Sequence, residues 1–534
     1  MRPSVLRARL MFLPLLLLLL APTARASGPP MQYVGSLNPY PGAFSAYATV
    51  AVDTDRHVAY LASVFASQGV AVIDIHDPSH PVFVYEIPNP PPIDANNQPE
   101  NGDVDLVGRY LAVSHHGQFG RQVFRGVAIY DTQPDPYHPT LVSTIPINTC
   151  GIESAQLDPE AGSGRPYVYA NSHCFGANNV YIGNILTGQI IGTFLGPEPF
   201  GDCPPFPCTE ENAPHEAFVQ RHPRSGKVLD YVGYWDSGLR IIDVTDPTHP
   251  TEVGAFDYGP GTGFRNAHGA VATPSGDYVF VGDEFAFDQR GGIHVFDART
   301  CDGTSHCTPT PIAFWQRQSD DAGAPPDANP IFFTSFVAFD VHNMFPMGEN
   351  ALLLGNYRLG VRLLDVTNKS APQEISFYNP NNNGGTVDDP GRPDLTTGRR
   401  TYNAVRGHDG LIYGGDITMG LFVCSLHPNT VLPSGAAAFA RADRGGSDLV
   451  SVRVSVGREV HFTTRKPGRS ELAIFDISGR LVARVVDEDH GTGDHRLSWD
   501  SRTASGARAA RGVYLGRLTT PDGAGSVKLV HLGD

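Results

Sequence analysis

Residues 238–258, GLRIIDVTDPTHPTEVGAFDY, contain the structural unit that the rest of the chain repeats. Gly238–Val244 alternates in side-chain character and is rich in β-branched residues, which predicts a strand. Asp246–Pro250 predicts a turn, because an Asp side chain can bond the backbone two residues on and Pro fixes φ. Thr251–Phe256 predicts a second short strand, so the whole stretch is typical of a β-hairpin.

The first strand of this hairpin recurs along the chain at a similar spacing. Its seven copies begin at Gly69, Gly126, Asn179, Gly238, Gly292, Gly360 and Gly420. A hairpin cannot bury both of its faces alone, and two further alternating segments lie upstream of each copy. Each unit is therefore expected to have four antiparallel strands, named A to D from the inside outward. Seven such units predict an all-β fold, a seven-bladed β-propeller.

The last unit lacks an outer strand of its own. The segment Gln32–Leu37 resembles Thr251–Phe256, the outer strand of the fourth unit. We therefore expect residues 31–37 to form strand D of the last blade and to close the ring. The propeller is predicted to span residues 27–432.

The N-terminal residues 1–26 are typical of a secretory signal peptide. Three arginines precede the apolar run Leu10–Ala21, and Ala24–Ala26 has the small-x-small pattern of a cleavage site. The apolar run is too short to span a membrane, and no later run approaches that length. We expect no transmembrane helix in the mature chain and a location outside the cell or on its outer surface.

The C-terminal part has a different pattern from the repeats. Residues 433–447 are rich in Gly, Ala and Arg and are predicted to be a linker. Residues 448–534 show about seven short alternating segments separated by turn signals, which predicts a small immunoglobulin-like β-sandwich. Trp499 is expected in its core.

Two segments resemble known families. The copies GVAVIDIHDPSHP (69–81), GLRIIDVTDPTHP (238–250) and GVRLLDVTNKSAP (360–372) resemble the LVIVD repeat of bacterial surface proteins, over about residues 31–428. That resemblance implies a propeller without one defined activity. Ile474–Val482, with Trp499 and the following glycines, resembles the immunoglobulin-like module of flagellar hook-capping proteins and C-terminal sorting domains. It implies a targeting domain for delivery to, or retention at, the outer surface.

Charge and loop placement restrict the partners. The formal net charge of −16 argues against a nucleic-acid partner. Three insertions, at 196–213, 319–330 and 379–399, each follow a strand D and precede the next strand A, so they are expected on one face. Loops gathered on a rigid scaffold favour binding, here of a protein, a glycan or a small ligand. We expect the chain to be a monomer.

The seven cysteines predict three disulfides in an exported chain. Cys203–Cys208 and Cys301–Cys307 would each close a small loop. Cys150 and Cys174 would pair because they flank the start of strand A and the end of strand B in the third blade. Cys424 remains, and its apolar context predicts a buried thiol.

The recurrent histidines fall into two groups. His80, His138 and His249 share the turn sequence Asp-Pro-x-His-Pro and lie between strands C and D of separate blades. Such positions are far apart on the outside of a ring. We therefore interpret these histidines as part of the turn structure.

The second group opens strand A in three successive blades, and strands A converge on the propeller axis. Its members are His215, His268 and His342. In an antiparallel hairpin the end of strand B faces the start of strand A, so other polar residues should join them. The candidates at this channel mouth are Glu153, His173, Glu216, Asp283, Glu284 and Asn356.

Imidazoles beside carboxylates can hold a transition metal such as Zn, Cu, Fe or Mn, with His215, His268 and His342 as its ligands. The same groups could serve as acids and bases, or could only bond neighbouring blades. Two functions therefore stay open. The first is a binding or adhesion module that uses the loop-rich mouth, and the alternative is a metal-dependent oxidase or hydrolase.

Overall fold

A computed structural model gives the structure of the protein. It describes residues 28–41, 46–64, 68–90, 100–116, 124–133, 135–147, 151–172, 179–197, 213–258, 266–284, 292–316, 341–357, 360–380, 401–434, 436, 453–455, 459–464, 468–476, 481–491, 493–503, 506–520 and 523–531. These ranges contain 35 β-strands and no α-helix. No helix able to cross a membrane is found in the described part of the chain.

Seven antiparallel sheets of four strands account for most of the described residues. Their A strands are β2 (Ala46–Asp53), β6 (Glu100–Val107), β10 (Ile152–Leu157), β14 (Ala217–Arg221), β18 (Ala267–Ala272), β22 (Val341–Met347) and β26 (Thr401–Arg406). Their B strands are β3 (Val58–Val64), β7 (Tyr110–His116), β11 (Tyr167–Ser172), β15 (Val228–Tyr234), β19 (Tyr278–Asp283), β23 (Ala351–Asn356) and β27 (Ile412–Asp416).

The outer half of each sheet follows the same order. The C strands are β4 (Val70–Asp74), β8 (Gly126–Asp131), β12 (Asn179–Asn184), β16 (Gly238–Asp243), β20 (Ile293–Asp297), β24 (Gly360–Asp365) and β28 (Gly420–Ser425). The D strands are β5 (Val82–Ile87), β9 (Thr140–Pro146), β13 (Gln189–Leu195), β17 (Thr251–Phe256), β21 (Thr310–Trp315), β25 (Gln373–Tyr378) and β1 (Gln32–Leu37).

The A strands form a closed inner ring. Each contacts the A strand of the next sheet, from β2 round to β26 and back to β2. Burial decreases outward, as in the fourth blade, where β15 is buried throughout and β17 is mostly part-exposed. Nearly all residues of the B and C strands in this blade are buried, so both faces of the sheet pack against the neighbouring blades. The predicted seven-bladed β-propeller is confirmed.

Ring closure by the N-terminal segment is also confirmed. Strand β1 pairs antiparallel with β28, so it is strand D of the last blade. Just before it, the amide of Met31 donates to the carbonyl of Phe377 at 2.7 Å. The Met31 side chain is buried, and its sulfur lies 3.7 Å from Cys424 Sγ. Cys424 is a buried free thiol, as predicted, and burial raises its pKa.

The Asp-Pro-x-His-Pro turns hold their histidines locally. In each turn the His Nδ1 lies close to a carboxylate oxygen of the Asp three residues earlier: 3.1 Å for His80, 2.8 Å for His138 and 3.1 Å for His249. The His249 side chain is 81% exposed. These histidines belong to separate turns at the surface, which confirms their interpretation as turn residues.

One predicted disulfide lies in the described residues. Cys301 and Cys307 are bonded, with their Cα atoms 5.4 Å apart, in the turn between β20 and β21. The bond also fixes a contact between blades, because the Cys307 amide donates to the carbonyl of Val253 at 2.9 Å. The predicted pairs Cys203–Cys208 and Cys150–Cys174 lie outside the described residues.

The C-terminal part forms two more sheets. One contains β29 (Arg453–Ser455), β30 (Glu459–Thr464) and β33 (Gly493–Ser498). The other contains β31 (Gly468–Asp476), β32 (Leu481–His490), β34 (Gly512–Thr520) and β35 (Gly523–His531).

Both C-terminal sheets contribute side chains to one apolar cluster. Trp499 is buried there, as predicted, and its indole N–H donates to the carbonyl of Arg502 at 2.8 Å. The predicted signal peptide lies outside the described residues, as do most of the linker and of the three insertions.

Candidate metal centre at the channel mouth

All A strands begin, and all B strands end, at one end of the ring, which we call the mouth. Near the start of strand A, most blades have a β-bulge, seen as a register shift against strand B. A bulge adds a residue that strand B does not pair and turns its side chain. The residues at this bulge are Glu153, His268, His342 and Tyr402. The fourth blade has no such shift, and His215 takes the equivalent place just before strand A, where its amide donates to the Gly233 carbonyl at 3.0 Å. We call these five places the A position.

Glycines in strand B bring the blades close enough for these side chains to meet. A Cβ on Gly233 would lie 2.5 Å from the His268 carbonyl oxygen, and one on Gly355 would lie 2.4 Å from that of Tyr402. Only glycine permits such an approach of one backbone to the next. The A positions of successive blades are therefore drawn together.

The residue that directly follows strand B forms the other half of the site. This B position is occupied by Trp235, Glu284 and Tyr357 in the fourth, fifth and sixth blades. The preceding residues, Asp283 and Asn356, are buried within the strand. Since side chains alternate along a strand, these two point to the other side.

Asp283 accordingly bonds an outer strand rather than the cluster at the mouth. His294 Nε2, on β20, lies 2.8 Å from its Oδ2. Burial raises the pKa of Asp283, although the bond to His294 opposes the shift.

The aromatic rings of the A and B positions form a continuous row. The ring centroids of His215 and His268 are 5.3 Å apart, and those of His268 and His342 are 4.2 Å apart. At one end Trp235 stacks on His215, with centroids 4.2 Å apart and planes at 19°. At the other end Tyr402 lies 4.2 Å from His342. All three histidines are buried.

Backbone carbonyls of the A position accept hydrogen bonds from the preceding blade. These bonds run from Ser114 Oγ to Glu153 O (3.0 Å), from Ser154 Oγ to His215 O (2.5 Å), from the Glu216 amide to His268 O (2.9 Å) and from His268 Nδ1 to His342 O (3.2 Å). The histidines thus have the structural role of bonding neighbouring blades. This role uses Nδ1 of His268 and leaves its Nε2 directed into the cluster.

Glu284 faces that second nitrogen. Its Oε2 lies 3.5 Å from His268 Nε2, and its Oε1 accepts the Tyr357 hydroxyl at 2.5 Å. The side chains of His268 and Glu284 are only 1% and 7% exposed. The pair therefore lies in a region from which bulk water is nearly excluded.

Two sets of possible ligands meet at His268. One set is Glu153, His215 and His268, and the other is His268, Glu284 and His342. Within each set the donor atoms lie within 4.8 Å of one another. Burial lowers the pKa of His342 to about 4, opposed by the charge of Glu153 and a bond to Asn343. A neutral imidazole is the form that binds metals.

Backbone strain occurs beside the cluster. Trp235 has φ of 36° and Asn266 has φ of 48°. Such values are rare for residues other than glycine, and for bulky side chains they are outliers. They are held in place because Trp235 and Ala267 exchange two backbone bonds of 3.0 Å between blades. Strain of this kind clusters at functional sites.

A cavity on the axis adjoins the histidines. Its volume is about 20 Å³, room for about one water molecule, and it lies between strands β2, β6, β22 and β26. Asn343 lines it and accepts a hydrogen bond from His342 Nδ1. The cluster thus lies beside the central channel of the ring.

The structure brings together five of the sequence-predicted residues: Glu153, His215, His268, Glu284 and His342. Glu216 and Asn356 are buried nearby, and His173 lies outside the described residues. Trp235, Tyr357 and Tyr402 were not among the sequence-predicted site residues. The repeat register could have identified them. Trp235 and Tyr357 occupy the same repeat position as Glu284, and Tyr402 occupies the same position as the three histidines.

The fold and the mouth thus define a propeller with a buried cluster of imidazoles and carboxylates. Residues 59–87 and 229–258 match the LVIVD repeat. These stretches cover strands B to D of the first and fourth blades, so the predicted resemblance is confirmed for two of the seven units. No curated protein matches the sequence significantly.

Several solved propellers are similar in fold. The C-terminal WD40 domain of Sif2 is 10% identical, with 75% of this chain and 100% of that chain covered and a TM-score of 0.44. The WD40 β-propeller domain of Doa1 is 9% identical, with coverages of 76% and 100% and a TM-score of 0.44.

A third similar structure is PorZ of Porphyromonas gingivalis, described as a bacterial surface component of the type-IX secretion system. It is 13% identical, with 91% of this chain and 65% of that chain covered and a TM-score of 0.38. These identities are too low to transfer a function.

Proposed function

We propose that the protein is a binding module that takes its ligand at the propeller mouth through a transition-metal ion bound within the cluster of His215, His268, His342 and the adjoining carboxylates. The observation that carries this proposal is the pair of ligand sets that share His268. Each set contains two imidazoles and one carboxylate. That combination is typical of non-haem iron and of zinc sites.

A purely structural role explains only part of the cluster. The structural bonds to the next blade, from His268 Nδ1 to the His342 carbonyl and from the His342 ring to the Tyr402 backbone, involve only two of the three rings named here. These bonds give no reason for the part-exposed Glu153 and the buried Glu284 to lie beside the imidazoles. Burial of a carboxylate is costly unless a positive charge or hydrogen bonds compensate it. A bound cation would supply that charge.

Metal analysis of the purified protein tests the proposal. We expect about one transition-metal ion per chain after loading and dialysis, from the ligand count of the cluster. His268→Ala and His342→Ala should lose it. His249→Ala is the matched control, because this histidine lies in an exposed turn beside a carboxylate. Wild-type protein that retains no ion, whether prepared under oxidising or reducing conditions, would contradict the proposal.

We also propose that residues 1–26 direct export and that residues 448–534 form an immunoglobulin-like targeting domain, joined by the linker 433–447. The single core shared by the two C-terminal sheets supports a separately folded unit. Removal of residues 448–534 should shift the protein from the outer surface to the medium or the periplasm, measured by fractionation of the source cells. An unchanged distribution would contradict the targeting role.

A further inference from the structure

The two ligand sets at the mouth differ in their surroundings. We call His268, Glu284 and His342 the inner set, and Glu153, His215 and His268 the outer set. All members of the inner set are buried, whereas Glu153 is part-exposed. A carboxylate that keeps contact with water needs a cation less than one that does not. Burial therefore favours the inner set as the position of the ion.

The spacing of donor atoms in the inner set agrees with a shared ion. Two ligands that each lie roughly 2.0–2.2 Å from a tetrahedral ion are about 3.4 Å apart. His268 Nε2 and Glu284 Oε2 are 3.5 Å apart. This distance is long for an N–H···O hydrogen bond, whose usual range ends at about 3.2 Å. The pair thus has the separation of two ligands rather than of a donor and its acceptor.

The hydrogen bonds of both histidines also suit the inner set. His268 Nδ1 donates to the His342 carbonyl, which leaves the lone pair on Nε2. His342 Nδ1 donates to the side-chain oxygen of Asn343, and its ring also bonds the Tyr402 backbone. Bonds of this kind fix the ring orientation of a metal-binding histidine.

Tyr357 is not a member of the inner set, but it holds the Glu284 carboxylate in position. Its hydroxyl donates to Glu284 Oε1 at 2.5 Å, so the other oxygen, Oε2, is the one turned toward His268. A charge-assisted bond this short fixes the carboxylate rotamer.

We propose that the ion occupies the inner set and that Tyr357 is the positioning residue for Glu284. Glu153 and His215 then border an open coordination position where a small ligand binds. This inference rests on the proposed metal site and assigns its ligands. Two imidazoles and one carboxylate leave at least one position of the ion free. The outer set shares His268, so its remaining members lie next to that position.

Cobalt(II) titration of the full-length protein, followed by visible absorption, tests the ligand assignment. Glu284→Gln should weaken cobalt binding by about a hundredfold or more, since it replaces a charged ligand. Glu153→Gln should change the dissociation constant by less than about threefold. Loss of an outer-shell partner typically costs 10–100-fold, and Tyr357→Phe should fall in that range.

A double variant separates positioning from general stability. If Tyr357 acts through Glu284, then Tyr357→Phe should have no further effect on cobalt affinity in the Glu284→Gln background. The matched control is Tyr413→Phe, which removes a similar hydroxyl bond, from Tyr413 to Asp409 Oδ2 at 2.6 Å, away from the mouth. It should leave cobalt affinity unchanged.

Azide is the probe for the open position. Its addition to the cobalt-loaded protein should change the visible spectrum, and Glu153→Gln should alter the azide affinity without loss of cobalt. A spectrum that excess azide does not change would overturn this part of the proposal.

The titration results distinguish the inner set from the outer set as the position of the ion. Loss of cobalt in Glu153→Gln but not in Glu284→Gln would place the ion in the outer set and overturn the inference. Two cobalt ions per chain would overturn it too. Wild-type protein that binds no cobalt and no other transition metal would reject the proposed function itself.

Discussion

Histidine lies beside a carboxylate both in the outer turns and at the mouth, yet the two kinds of pair differ in burial. His249 and Asp246 are 3.1 Å apart and 81% and 62% exposed. His268 and Glu284 are 3.5 Å apart and 1% and 7% exposed. The exposed pair has the shorter contact, so distance does not distinguish them. Water screens the first pair, whereas the second must be compensated by its surroundings.

The largest expected effect is the dependence of stability on pH that Asp230 causes. Asp230 is buried, and no imidazole beside it in the described part of the chain stabilises its charged form. Burial raises its pKa to about 7. The folded state then keeps a proton that the unfolded state releases, so stability falls as the pH rises from about 4 to 7. The slope approaches about 1.4 kcal/mol per pH unit.

Thermal unfolding of the wild type and Asp230→Asn across this pH range measures the effect. The variant should lose this decline and gain on the wild type as the pH rises. Parallel pH profiles for the two proteins would show that Asp230 does not titrate in this window.

The second largest effect is the stabilisation of the folded protein by a bound metal, which should depend on the mouth histidines and not on the turn histidines. An ion at about 100 times its dissociation constant stabilises the folded state by about 2.7 kcal/mol. Zinc should therefore raise the melting temperature of the wild type and of His249→Ala, but not of His268→Ala. An equal zinc-dependent rise in all three proteins would place the binding elsewhere.

Removal of the His268 side chain should destabilise the protein even without metal. In the presence of a chelator, His268→Ala leaves the buried His342 carbonyl without its donor and should cost about 1–3 kcal/mol. Urea unfolding measures this change. A cost near zero would mean that the bond between the fifth and sixth blades contributes little.

The smallest effect is expected in the turns. His249→Ala removes an exposed contact and should change the free energy of unfolding by less than about 0.5 kcal/mol. The same unfolding measurement applies. A cost as large as that of His268→Ala would remove the distinction between turn and mouth.

The fold could be predicted from the repeat because each copy has the same register. The hairpin of residues 238–258 indicated strands C and D, and the likeness of Gln32–Leu37 to Thr251–Phe256 indicated how the ring closes. Three histidines of the site followed from the same register. The remaining site residues could not be predicted from the register, because the direction of a side chain depends on local backbone irregularities such as bulges.

Two residues show what the sequence pattern missed. The bulge in β26 places Tyr402, rather than Asn403, beside His342, and Asn403 instead bonds the backbone of Val50 at 3.0 Å. A one-residue shift in a strand reverses the direction of its side chains. The same alternation turns Asp283 away and leaves Glu284 in the cluster. Neither the bulge nor the end of strand B is visible in a hydrophobic pattern.

Anomalous X-ray diffraction from zinc-loaded crystals would locate the ion itself. We expect one peak at the mouth, about 2.0–2.2 Å from His268 Nε2, a His342 nitrogen and Glu284 Oε2. A fully loaded crystal with no peak at the mouth, or with peaks only at the His80, His138 and His249 turns, would contradict it.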